Sequence, residues 1–138
     1  MKFLINGKLR SIPIHKYIIN WDRACPSKGS GLVKDYLKSN FKYDVWLEEM
    51  RLPGSLLRVD FLNVTRKFAI EYNDTKEKGH HDHFNKFFHG NRSGFLNSIK
   101  RDMKKLDLLQ KNGYTVIEIY SHDLPLTREF FEKFEIYI

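Results

Sequence analysis

The stretch that is most informative about the fold is residues 58–72, which read RVDFLNVTRKFAIEY. The stretch holds two apolar runs, and each run is interrupted by a single acid, Asp60 in the first and Glu71 in the second. Successive side chains of a strand point to opposite faces of a sheet. A hairpin that turns near Thr65 and Arg66 therefore sets Asp60 across from Glu71. We expect their apolar neighbours to share one face and the two carboxylates to share the other, with Cβ atoms about 5 Å apart.

Two carboxylates opposed in this way repel each other, which destabilises a sheet unless a cation lies between them. Mg²⁺ prefers oxygen ligands, typically one or two carboxylates together with water and a phosphate. The pattern therefore predicts that Asp60 and Glu71 bind Mg²⁺, with Mn²⁺ able to replace it. The alternative is that both acids lie on a solvated sheet face and have no chemical role.

The rest of the sequence predicts an α/β fold in which a central mixed β-sheet is flanked by helices. An N-terminal hairpin is expected to turn at Asn6-Gly7, because this dipeptide suits the two left-handed positions of a type I′ turn, and to return over Lys8–Ile14. Alternating or apolar runs predict further strands at Tyr43–Met50, Leu56–Leu62, Lys67–Asn73 and Thr115–Tyr120.

Helices are predicted where apolar residues recur at helical spacing. After a break at Cys25–Gly31, the first helix carries Leu32, Val33, Tyr36 and Leu37. The second covers Phe95–Asn112, with Ser93 as its candidate cap and Gly113 after its end. A last helix is expected from Thr127. The segment Thr75–Asn91 is interpreted as mostly loop.

The length of 138 residues corresponds to one domain, residues 1–138, of which residues 1–24 are expected to form an N-terminal hairpin extension. The single cysteine excludes a disulfide within the chain and fits a reducing compartment. Apolar runs long enough to span a bilayer are missing from the sequence. We therefore expect no membrane partner and a cytoplasmic protein.

The charge indicates an anionic partner. Lys and Arg total 24 against 17 Asp and Glu, which gives a net charge of +7. Such a basic domain most often binds nucleic acid, although a merely soluble cationic surface remains the alternative. The side chains expected to contact nucleic acid are those of Arg58, Arg92, Lys100, Arg101, Lys104 and Lys105. Most of them lie on the predicted Phe95–Asn112 helix or beside it, where they could equally be an ordinary solvated face.

Four of the six histidines lie close together, at His80, His81, His83 and His89. A histidine can donate or accept a proton near neutral pH, so one of them could assist phosphodiester hydrolysis. The other interpretations are a zinc site, which would need four ligands with defined spacing, and a polar surface loop.

The order of the two acids resembles the PD-(D/E)XK nuclease superfamily, and in particular its phage-type branch related to very-short-patch-repair (Vsr-like) and homing endonucleases. The similar segments occur in the same order along most of the chain: the opening through Lys16-Tyr17 and Trp21, then Pro53–Phe61, Ala69–Tyr72, His80–His83, Phe87–Arg92, Lys100–Asp102 and Asn112–Ile119. The resemblance implies a restriction-endonuclease-like core. It also implies that Asp60, Glu71 and the backbone carbonyl of Tyr72 bind the metal.

The sequence departs from that family at two positions. Its triplet reads Glu71-Tyr72-Asn73, so Asn73 stands where the superfamily has a lysine that aids the attacking water. Ser30 stands near the start of the first helix, where relatives tend to carry Gln or Glu. Either Glu48 or Glu49 could supply an extra carboxylate.

With Asn73 in the triplet, the sequence places no cation beside Glu71. We therefore expect His81, and after it His83, to take over the proton transfer, because His81 falls where relatives carry a histidine after the second acid. The expected function is Mg²⁺-dependent hydrolysis of DNA, which we expect to be double-stranded. The protein is expected to be a monomer or weak dimer, and a monomer would nick one strand. The rival is a non-catalytic nucleic-acid-binding protein that retains a nuclease fold. Cleavage of RNA stays open as a third interpretation. If a phage encodes the protein, its expected location is the cytoplasm of the infected bacterial host.

Overall fold

A computed structural model of the chain describes residues 1–74 and 92–138. The predicted segment Thr75–Asn91, with all four clustered histidines, lies outside the described residues. The strands are β1 (Lys2–Ile5), β2 (Lys8–Ser11), β3 (Trp46–Arg51), β4 (Arg58–Asn63), β5 (Phe68–Asn73) and β6 (Thr115–Tyr120). The helices are α1 (Ile14–Tyr17), α2 (Lys28–Phe41), α3 (Arg92–Lys111) and α4 (Arg128–Glu132), and a short 3₁₀ helix covers Ser121–Asp123.

The larger sheet has the order β3-β4-β5-β6. Its first three strands are antiparallel neighbours, and β6 pairs with β5 in the parallel direction. The crossover from β5 to β6 includes α3, as expected because parallel neighbours need a long connection. The α/β class and the mixed sheet flanked by helices are therefore confirmed.

The N-terminal hairpin also forms as predicted. Asn6 has φ 51° and Gly7 has φ 77°, so both occupy the left-handed region that the turn requires. The returning strand is shorter than expected and ends at Ser11, because the chain turns at Pro13 into α1. Phe3 and Ile5 are buried in the main core, so the hairpin packs firmly on the sheet.

Both faces of the sheet are covered. On one face, Val33, Leu37 and Phe41 of α2 pack with residues of the sheet and with Phe131 of α4. On the other face, Leu108 and Leu109 of α3 pack with the N-terminal hairpin and with a second set of sheet residues. In the part of the chain that the structure describes, no helix is both long and apolar enough to cross a bilayer.

The starts of two helices differ from prediction. Helix α2 begins at Lys28, inside the expected break, because the Ser27 hydroxyl caps it by accepting a hydrogen bond from the Ser30 N–H. Helix α3 begins at Arg92, so Ser93 lies within the helix and is not its cap. Its end is as predicted, since Gly113 follows with φ 85°.

Candidate active site

The predicted register between the two acidic strands is confirmed. Phe61 pairs with Ile70 across β4 and β5, and this register brings Asp60 opposite Glu71. The ladder of paired residues stops at Phe61 and Ile70, one step short of the acids. The two carboxylates therefore stand where the strands part, next to the end of the ladder.

The expected division of the two faces is confirmed for Phe61, Phe68, Ile70 and Tyr72, which all pack on the α2 side, and is wrong for Val59. Val59 packs in the α3-side core and Phe61 in the α2-side core, although residues two apart on a strand should share a face. The change of face coincides with an irregular step in both strands, where Glu49, with φ 53°, and Asp60 are missing from the ladder that pairs Glu48 with Phe61 and Met50 with Val59. This irregularity interrupts the alternation beside Asp60.

Asp60 turns its carboxylate toward the backbone of the next strand. Its Oδ2 accepts a hydrogen bond of 2.9 Å from the Tyr72 N–H, which replaces the next rung of the ladder. Burial raises the pKa of Asp60, and this hydrogen bond opposes the rise because it favours the charged form.

Glu71 has a cationic partner that the sequence did not reveal. The Lys105 ammonium of α3 lies 3.2 Å from Glu71 Oε2, with both side chains mostly buried. The expectation that no cation stands beside Glu71 is therefore wrong. The reason is that α3 crosses the sheet close to the end of β5 and brings Lys105 to the carboxylate.

The other Glu71 oxygen is buried and receives no hydrogen bond from an N–H or O–H donor among the residues that the structure describes, while the Glu71 and Asp60 carboxyl groups are close enough to share a proton. Burial raises the pKa of Glu71 from its ordinary value of 4.5 to about 8, with a further contribution from the nearby charge of Asp60. Lys105 acts in the opposite direction but does not outweigh these two effects. If both acids were charged, two negative charges would face one described cation, and for this reason Glu71 holds its proton to a higher pH.

The acids lie between two clefts. Asp60 lines a cleft of about 510 Å³ that is bounded by the start of α2 and by Arg58, while Glu71 and Lys105 line a second one of about 530 Å³ on the α3 side. Tyr72 borders both. Its hydroxyl occupies the space that a Cβ atom on Gly29 would need, so a side chain at Gly29 would displace the ring.

Glu48 and Glu49, which were open candidates for an extra carboxylate, have different environments. Glu48 is buried and binds two cations, Lys34 Nζ at 2.9 Å from its Oε2 and Arg23 Nη2 at 2.7 Å from its Oε1. Glu49 lies beside Asp60, and its pKa is raised by burial first and then by the charge of Asp60. Ser30, at the family position for Gln or Glu, shares a hydrogen bond with Ser27.

The residues present fit a hard divalent cation. Asp60 and Glu71 offer carboxylate oxygens, one of them without an N–H or O–H donor in the described structure, and the Tyr72 carbonyl follows directly after Glu71. Oxygen donors of this kind suit Mg²⁺ or Mn²⁺. Within residues 1–74 and 92–138, no group of three or more His, Cys, Asp or Glu side chains is placed to hold a metal. Asp60 and Glu71 are the carboxylates that we assign to the cation, and the zinc interpretation rests on histidines outside the described residues.

The basic residues expected to contact nucleic acid are spread over the surface. Arg58, Lys100 and Lys104 are exposed, whereas Lys105 is engaged with Glu71. The backbone of α3 places Arg92 and Arg101 on the same helix. His81 and His83 lie outside the described residues.

The sequence analysis missed two features of this region, the Lys105 contact with Glu71 and the buried Lys34–Glu48 ion pair. The burial of Lys34 could have been predicted, because Lys34 lies on the apolar side of α2 next to Val33. For Lys105, which follows a basic run on α3, no local pattern distinguishes it from Lys104.

Comparison of the chain with protein-family models, with curated proteins and with solved structures finds no match.

Proposed function

We propose that this protein is a metal-dependent DNA endonuclease of the PD-(D/E)XK type, with a restriction-endonuclease-like core and closest in character to the Vsr-like phage branch. The observation that carries the proposal is the pair of opposed, mostly buried carboxylates Asp60 and Glu71, one of whose oxygens has no described N–H or O–H donor. Burying two like charges side by side is unfavourable unless a cation is bound there.

The residues divide the work of phosphodiester hydrolysis. Asp60, Glu71 and the Tyr72 carbonyl would hold Mg²⁺, and the ion would lower the pKa of water and offset negative charge on the phosphate. The Tyr72 N–H fixes the Asp60 carboxylate, so this ligand is oriented before the cation arrives. Orientation by a backbone group reduces the reorganisation needed at the moment of reaction.

Lys105 takes the place of the lysine that the triplet lacks at Asn73. Its ammonium orients Glu71 in the protein without metal, as the 3.2 Å contact indicates. With substrate present, the same charge lies next to the phosphate and stabilises negative charge on its oxygens. His81 and His83 remain candidates for proton transfer to the leaving oxygen.

The net charge of +7 and the exposed Arg58 at the rim of the Asp60 cleft favour DNA as the substrate. Residues 1–74 and 92–138 contain one such opposed pair of buried acids, Asp60 and Glu71, so we expect one engagement to cut one strand. A monomer is therefore expected to produce a nick.

The test is conversion of supercoiled plasmid to open circles with Mg²⁺ or Mn²⁺, and its absence with EDTA. Asp60→Asn and Glu71→Gln should each abolish the conversion and keep the fold. Glu132→Gln is the control, because Glu132 is exposed on α4 and lines neither of the two clefts beside the acids. This control should nick at the wild-type rate.

Two results would contradict the proposal. Full activity in either acid variant would remove Asp60 and Glu71 from the site. DNA binding without any metal-dependent nicking would favour the non-catalytic binding protein, to which the departures at Asn73 and Ser30 also point.

A further inference from the structure

Two arginines face each other at one end of the sheet. Arg51 closes β3, Arg58 opens β4, and they are direct partners in the antiparallel register. Both are exposed. Neither side chain forms an ion pair or hydrogen bond with any residue in the described ranges.

Like charges directly opposite one another in a sheet are destabilising. Glu49 precedes Arg51 by two residues and interacts electrostatically with Arg58, but it forms no ion pair with either arginine. Within the part of the chain that the structure describes, neither guanidinium therefore has a directly bound acid. An anion bound between them would remove the cost.

The pair connects two clefts. Arg58 lines the cleft that holds Asp60, while Arg51 lines a neighbouring cleft of about 550 Å³ together with Lys16 and Ser55. Arg58 and Asp60 are two residues apart on β4, which corresponds to about 6.6 Å along a strand. A row of cations thus leads away from the acids, from Arg58 to Arg51 and on to Lys16.

The N-terminal segment extends this charge. Residues 1–21 contain the cations Lys2, Lys8, Arg10 and Lys16 and no Asp or Glu. All four are exposed, and none forms an ion pair with an acid elsewhere in residues 1–74 or 92–138. Of these four cations, Lys16 is the one that lines a cleft together with Arg51.

We propose that Arg51, Arg58 and Lys16 form a track that binds the sugar–phosphate backbone of a nucleic acid beside Asp60 and Glu71. Planar guanidinium groups bind phosphate through two parallel hydrogen bonds, which suits a pair of arginines to successive phosphates. The track rests on the proposed function in taking nucleic acid as the partner. It differs from the exposed lysines of α3 in being continuous with the Asp60 cleft.

The test measures affinity for a short fluorescein-labelled DNA duplex by anisotropy, in EDTA and over a series of salt concentrations. Arg51→Gln/Arg58→Gln removes two charges from the track. Lys42→Gln/Lys67→Gln removes two charges from exposed positions at the opposite end of β3 and β4 and serves as the matched control. Thermal melts verify that both variants are folded.

The track variant should lose about tenfold or more in affinity. The slope of log affinity against log salt should fall by about 1.8, because each lost phosphate contact contributes about 0.9 to it. The control should change the slope by much less. Arg51→Lys/Arg58→Lys keeps both positive charges but loses the paired hydrogen bonds of the guanidinium groups. This variant should retain the salt dependence and bind DNA with intermediate affinity.

Equal losses in the track and control variants would overturn the proposal, as would wild-type affinity in Arg51→Gln/Arg58→Gln. The proposed function fails independently. If Arg51→Gln/Arg58→Gln loses affinity as predicted but the wild-type protein never nicks plasmid with Mg²⁺, the nuclease proposal is wrong and the track proposal stands. If the wild-type protein nicks plasmid but Arg51→Gln/Arg58→Gln binds DNA with wild-type affinity, only the track proposal is wrong.

Discussion

Two buried acids of the larger sheet, Glu48 on β3 and Glu71 on β5, have opposite electrostatic surroundings. Glu48 contacts two cations, Lys34 and Arg23, and both of its oxygens are engaged. Glu71 contacts one cation, lies beside the like charge of Asp60, and keeps one buried oxygen without a described N–H or O–H donor. The first acid is balanced by its neighbours and the second is not.

The difference separates a structural acid from a binding one. An acid that is balanced in a buried ion pair gives no reason to expect a ligand. Removing its partner lowers the stability of the fold. An acid whose pKa is raised by burial and by a second carboxylate is already unfavourable in its charged form, and a bound cation relieves this. The following predictions test this contrast.

The largest effect on stability is expected at the balanced site. Lys34→Met should lower the free energy of unfolding by about 3–5 kcal/mol, because it leaves Glu48 buried with only the partly exposed Arg23. Urea unfolding measures the change. Lys38→Met on the same helix is the control, since its side chain is 45% exposed, and it should stay within about 0.5 kcal/mol. Equal effects of the two substitutions would mean that the Lys34–Glu48 pair contributes nothing specific.

The next effect concerns the rate of cleavage. Lys105→Met should lower the single-turnover rate about a hundredfold, the range for losing one electrostatic contact to the transition state. Lys105→Arg should restore part of the rate, and DNA affinity should change little in either variant. His81→Ala, assayed in parallel, should also lose about a hundredfold if its imidazole transfers the proton. A wild-type rate in Lys105→Met would show that Lys105 does not replace the lysine missing at Asn73, and would leave His81 and His83 as the candidates.

The smallest effect is a pH dependence of stability in the protein without metal. The folded-state pKa of Glu71 is about 8 against an ordinary 4.5. Between these values the unfolded chain has lost its proton while the folded protein keeps it, so the free energy of unfolding should fall as pH rises from about 4.5 to about 8. Solvent reaching the partly exposed carboxylate reduces the full effect, and we expect about 2 kcal/mol.

Urea unfolding across this pH range measures the dependence, and Glu71→Gln should flatten it. Asp60, whose pKa is also raised, contributes in the same direction and leaves a residual slope in that variant. A wild-type protein whose stability rises between these pH values would show that Glu71 is charged and balanced in the fold.

The sequence was sufficient for the elements whose signal is local. Alternation in residues 58–72 predicted the two acidic strands and their register, and Asn6-Gly7 predicted the first turn. The face of Val59 could not be predicted, because it changes at an irregular step that involves the left-handed Glu49 of a neighbouring strand. The start of α2 was missed because glycines and serines in its first turn hide a helix that the Ser27 cap and tertiary packing stabilise.

The candidate site was predictable only in part for the same reason. Asp60 and Glu71 stand out because each is an acid in an apolar strand. The contact of Lys105 with Glu71 arises from the packing of α3 against the sheet, and a pattern along the sequence carries no trace of it.

The most direct test of the central claim is a crystal soaked in Mn²⁺, with anomalous diffraction measured at the manganese edge. The claim predicts a strong anomalous peak in contact with both the Asp60 and the Glu71 carboxylates. It also predicts that the peak is lost in Glu71→Gln. A crystal with no peak at these acids, in which Lys105 still holds Glu71 at saturating Mn²⁺, would contradict it.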